Sequence, residues 1–118
     1  MTPQRAIQCP QRKMQMLSFV KTGGGTPDVS GSCADFISAV TDNGPGDYTF
    51  TFNSNVVFTQ KPEIICTSNT ALRIPVITTV TALAFRVMVT DESGALADGD
   101  FNCMVLGSLA TDLLGPPN

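Results

Sequence analysis

Tyr48-Thr49-Phe50-Thr51-Phe52 alternates aromatic rings with threonine at a period of two, the pattern of a half-buried strand. In an extended chain successive side chains point to opposite faces, so Tyr48, Phe50 and Phe52 share one side and the two threonines the other. The segment Ala84–Thr90 repeats the pattern, with Phe85, Val87 and Val89 on one face and Arg86 and Met88 on the other. Further strands are expected over residues 13–21, 32–41, 61–68, 72–81 and 100–109. Pro62 stands near the start of one of them, and Pro75 marks another as an edge or irregular strand. Turn chemistry separates them: Gly23-Gly24-Gly25-Thr26-Pro27-Asp28, Asp42-Asn43-Gly44-Pro45-Gly46, Asn69-Thr70, and the loop 91–99. Six or seven strands at roughly 8–12-residue spacing read as a sandwich or barrel. No helical period and no fixed internal repeat is visible. The expected fold is all-β, an antiparallel β-sandwich of jelly-roll type. Residues 31–118 form the sandwich domain, and residues 1–30 form an extended basic arm followed by the Gly-rich loop.

A chain of 118 residues buries roughly two thirds of its unfolded surface, enough for one core. Its charge content is unusual: 14% Asp, Glu, Lys and Arg, against about 25% in typical soluble domains. Two explanations stand side by side. Part of the surface is covered by other copies or partners, or the surface is built from Thr, Ser, Asn and Gln.

The charge is also segregated. Arg5, Arg12, Lys13 and Lys21 give the first 21 residues +4, while three basic and ten acidic residues give the remainder −7. A basic arm on an acidic body fits docking on an acidic surface. The candidate docking residues are Arg5, Arg12, Lys13, Met14, Met16, Phe19 and Lys21, with Leu17 adding apolar surface. Nucleic acid is not an expected partner: the pI is about 4.5, and no basic run is interleaved with aromatic residues. No membrane partner is expected either. The uncharged stretch 74–85 contains Pro75 and is 12 residues long, short of the ~20 apolar residues of a spanning helix. The segment 14–20 is too polar for a signal core, so the chain is expected to stay in the compartment that makes it.

Chemistry-bearing constellations are scarce. With no histidine, Ser-His-Asp and Cys-His arrangements are excluded, since both need an imidazole to take the nucleophile's proton. Cys9, Cys33, Cys66 and Cys103 form no close pairs of the zinc-binding kind. Without a secretion signal they are expected to be reduced, with Cys66 and Cys103 acting as small apolar strand residues. Gly23-Gly24-Gly25 lacks the lysine and the spacing of a P-loop. Asp98-Gly99-Asp100, with Asp91 or Glu92, could offer oxygens to calcium, but Asp and Gly before a strand are ordinary turn residues. A glycosidase needs two carboxylates about 5–10 Å apart; Asp47, Glu63, Glu92 and Asp100 are the candidates. The expectation is therefore no catalytic residue, no metal and no cofactor.

Gly46-Asp47-Tyr48-Thr49-Phe50-Thr51-Phe52, Lys61-Pro62-Glu63-Ile64-Ile65, Phe85-Arg86-Val87, Asp98-Gly99-Asp100-Phe101 and Val105-Leu106-Gly107 together resemble small β-sandwich proteins and fibre-head domains of tailed bacteriophages. The resemblance spans about residues 44–108. It implies a structural virion protein and not an enzyme: a capsid decoration (cement) protein, made in the host cytoplasm, that binds the major capsid protein on the outer capsid surface as a homotrimer and stabilises the head. The alternative it implies is the host-receptor-binding head of a fibre or spike, although no collagen-like or coiled-coil stalk is visible. Multivalent straddling of neighbouring capsid subunits would give a cement protein its hold.

Overall fold

The computed structural model of the chain describes residues 14–23, 26–31 and 33–109. Eight strands follow one another: β1 Met14–Thr22, β2 Asp28–Ser30, β3 Ile37–Gly44, β4 Asp47–Phe52, β5 Glu63–Ser68, β6 Ile74–Val80, β7 Ala84–Thr90 and β8 Phe101–Ser108. They form two four-stranded antiparallel sheets, ordered β2-β1-β8-β5 and β3-β4-β7-β6, packed face to face as a β-sandwich. The finer expectation of a jelly roll is not carried by this order, in which three of the six ladders join consecutive strands.

The core is aromatic. Tyr48, Phe50 and Phe52 of β4 point inward, as their alternation requires, and meet Phe85 of β7 and Phe101 of β8. Phe50 and Phe85 stack at 4.9 Å between ring centroids, Phe101 meets Phe50 edge-on at 5.8 Å, and Phe19 lies 5.5 Å from Phe50. Such offset and edge contacts suit the ring quadrupole and add to area burial. Gly107 in β8 leaves space for the Phe58 ring, since a Cβ there would stand 2.6 Å from it.

Two segments depart from expectation. The stretch 32–41 is not one strand: Ala34–Phe36 makes a 3-10 turn before β3 begins at Ile37. Strand β3 then runs through Asp42 and Asn43 to Gly44, so the turn proper is Pro45-Gly46. Gly46 takes φ +67°, and a Cβ there would meet Val89 O at 2.5 Å, so backbone approach demands glycine.

The larger correction concerns the arm. Strand β1 pairs with β8 from Met14↔Ser108 to Lys21↔Phe101 and carries β2 on its other side. Leu17, Phe19 and Lys21 are buried. The boundary expected at residue 30 therefore moves: residues 14–22 and 28–30 belong to the sandwich. Burial of Leu17 and Phe19 stabilises this arrangement by roughly 1.5–3 kcal/mol each, more than a loose arm would retain.

Candidate interaction surface

The outward residues of β5, β8 and β1 align in three rows: Glu63–Leu106–Met16, Ile65–Met104–Ser18 and Thr67–Asn102–Val20. Five of these nine are apolar and Glu63 alone is charged. Met16 is 63% exposed, Ile65 54% and Leu106 37%. A shallow depression of about 450 Å³ lies on this face, lined by Ser18, Val20, Ile65, Thr67 and Met104, with Gly31 at its β2 side. Contiguous exposed apolar surface rimmed by polar side chains is the mark of a surface that meets a partner.

The outer face of the other sheet is built differently. One row runs Thr79–Arg86–Thr49–Thr41, and Thr51 sits in the next. Arg86 grips Asp47 with two hydrogen bonds, Nε–Oδ1 at 2.8 Å and Nη2–Oδ2 at 2.5 Å, and Asn43 donates to Asp47 and to Thr49. The Arg86 hydrogen bonds hold the Asp47 carboxyl below the usual carboxylate range.

A second polar assembly closes one end of the sandwich. Lys21, on the core face of β1, donates from Nζ to Gly99 O at 2.9 Å, lies 3.8 Å from the centroid of Tyr48 and is 3.8 Å from Asp100 Oδ1. Burial lowers its pKa, against the pull of Asp100, Asp98 and Asp42. Tyr48 donates its hydroxyl to Asp98 Oδ1 at 2.7 Å, and Gly46 N–H donates to the same oxygen at 2.8 Å. Burial first, and then the Asp98 carboxylate, pushes the Tyr48 phenol up. The Tyr48 hydroxyl and Gly46 amide hold the Asp98 carboxyl down. Arg73 Nε donates to Asp98 O at 2.8 Å. The assembly ties β1, β4 and the loop before β8 together. Among the described residues no buried side-chain polar atom lacks a partner, so these groups hold the fold.

Of the expected docking residues, Arg5, Arg12 and Lys13 lie outside the described residues. Met14 begins β1, and Met16 is exposed on the apolar face. Phe19 and Lys21 are corrected: both point into the sandwich, Phe19 into the ring cluster and Lys21 onto Tyr48, so neither can meet a capsid. Cys66 and Cys103 do occupy strands, directly opposite one another in β5 and β8. Asp98, considered as a calcium oxygen donor, is engaged by Tyr48, and Asp47, considered as a glycosidase carboxylate, by Arg86. Among the described residues, no three His, Cys, Asp or Glu side chains are grouped to hold a metal.

Ile65, Met104 and Leu106 were not singled out from the sequence, yet a signal was there. Ile64-Ile65-Cys66 and Cys103-Met104-Val105-Leu106 are apolar in both phases of the strand alternation, the signature of strands covered on both faces. Comparison with family models, with curated proteins and with solved structures finds no match to this chain.

Proposed function

We propose that the chain is a structural virion protein of a tailed bacteriophage, a capsid decoration (cement) protein that assembles as a homotrimer, binds the major capsid protein on the outer capsid surface and stabilises the head. The observation that carries this reading is the β2-β1-β8-β5 outer face, whose rows across β5, β8 and β1 are apolar at Met16, Val20, Ile65, Met104 and Leu106 and charged only at Glu63, with Asp28 at the β2 edge. A face of that composition gains free energy when covered, at roughly 25 cal/mol per Å² of apolar area removed from water. A second copy is the simplest cover, because closed symmetric homo-oligomers are the commonest assemblies. The strand and turn motifs of residues 44–108 support the phage part of the reading. The basic residues Arg5, Arg12 and Lys13 precede β1 in the sequence and supply positive charge to a chain of net charge −3. Multivalent contact through three copies would hold the protein on the head even where single contacts are weak.

Copy number tests this reading. The band of this protein is quantified against the major capsid band in purified virions. The cement reading expects about one trimer per few capsid subunits. A handful of copies per particle would sink it and favour the host-receptor-binding head of a fibre or spike. A second test uses truncation at residue 13, which spares β1. Loss of capsid binding with an unchanged folded body is the expected result.

A further inference from the structure

Cys66 and Cys103 face each other across the β5–β8 ladder with their Sγ atoms 2.9 Å apart. Directly opposed residues of an antiparallel pair have Cα atoms about 4.5 or 5.5 Å apart, and both spacings fall within the about 4.4–6.8 Å that a disulfide spans. A bonded pair sits near 2.05 Å, so less than an ångström of sulfur movement separates these thiols from a bond. No strand has to shift. Cys103 is buried beneath the sheet, whereas Cys66 lies on the outer strand β5 and is half-buried, which gives a reagent its point of entry.

We propose that Cys66 and Cys103 are a disulfide-forming pair that locks the edge strand β5 to β8 beneath the apolar face when the protein meets a low-molecular-weight disulfide oxidant such as oxidised glutathione. The Cys66 thiolate attacks one glutathione sulfur, breaking its S–S bond and expelling one glutathione thiolate. Cys103 then attacks the Cys66 sulfur of the mixed disulfide, expels the second glutathione and gives it the Cys103 proton. The two protein thiols lose two electrons, the oxidant gains them, and two glutathione thiols leave. Burial and the neighbouring Cys66 raise the Cys103 pKa, so the second step accelerates as pH rises.

The test uses the full chain, purified reduced and then held in oxidised glutathione. Remaining thiols are alkylated under denaturing conditions, and the chain is cleaved after Lys, Arg and Glu. Cleavage releases residues 64–73, whose one cysteine is Cys66, and residues 93–118, whose one cysteine is Cys103. The expected product is these two peptides joined, lighter by two hydrogens than their reduced sum. Oxidation should raise Tm by roughly 10 °C, since the bridge closes a loop of several tens of residues. The rise should vanish with dithiothreitol and be absent in Cys66→Ser, which keeps the buried Cys103. Recovery of both peptides alkylated, or of either joined to a different cysteine, would overturn the proposal.

Discussion

The two outer sheet faces solve the same problem in opposite ways. The chain has few charges to show to water. On the β3-β4-β7-β6 face the shortage is met with polar neutral groups: Thr41, Thr49, Thr51 and Thr79 surround one Asp47–Arg86 pair, and the apolar Ile74, Val76 and Met88 gather toward the β6 edge. On the β2-β1-β8-β5 face it is left unmet, with Met16, Met104 and Leu106 on the two central strands and Ile65 beside them on the edge strand β5. The sequence left two explanations of low charge open, a hydroxyl-rich surface and a covered one. The first describes the threonine rows of one sheet, and the second is what the proposed reading assigns to the other. Composition averaged over a whole chain hides such a division, because it sums faces that meet different surroundings.

The largest expected effect falls on what the two faces share. Phe50 is fully buried between the sheets, in contact with Phe19, Phe85 and Phe101. Phe50→Ala should cost about 3–5 kcal/mol of unfolding free energy in chemical denaturation. A loss under 1 kcal/mol would mean that the sheets do not share this core.

The comparison itself is next. Ile65→Lys/Leu106→Lys should weaken self-association at least about 100-fold, because burying unpaired charge is costly, while monomer stability changes by no more than about 0.5 kcal/mol per site. Thr49→Lys/Thr79→Lys should leave association unchanged by size-exclusion chromatography. Equal loss from both pairs would erase the distinction between the faces.

A smaller effect belongs to the polar end. The folded-state pKa of Asp98 lies below its ordinary 3.8, so its stabilisation is present above that value and is lost as pH falls through the folded value. In wild type, stability should therefore decline below about pH 4. Asp98→Asn should flatten that decline and cost about 1 kcal/mol at neutral pH, the exposed side of the carboxylate being screened by water. A stability profile identical to wild type in acid would show that Asp98 contributes nothing.

Much of the fold was legible because strand alternation leaves a period in the sequence. Tyr48–Phe52 and Phe85–Val89 have the faces that their alternation dictates. Other parts were hidden for physical reasons. Lys21 ends an inward series begun by Leu17 and Phe19, and a lysine at an inward position reads as solvent-facing until Tyr48 and Gly99 O are seen to receive it. Counted with Arg5, Arg12 and Lys13, Lys21 extended the docking arm into what is a core strand. Val56 and Phe58 are core residues supplied by a loop, where no period exists to announce them. Strand β2, three residues long beside a Gly-rich loop, is held by β1 and not by its own propensity. The apolar face was written in the double-phase runs of β5 and β8, but which side of such a run lies outside depends on the partner sheet.

Methionine oxidation tests the covered-face claim most directly, since each outer face carries its own probe: Met16 and Met104 on one, Met88 on the other. Sulfoxide formation by dilute peroxide is followed peptide by peptide at micromolar and at high dilution. At micromolar concentration Met16, 63% exposed in the single chain, should oxidise at least about tenfold more slowly than on dilution, as expected for a side chain buried in an interface, while Met88 keeps one rate throughout. A Met16 rate that is fast and independent of concentration would contradict the account.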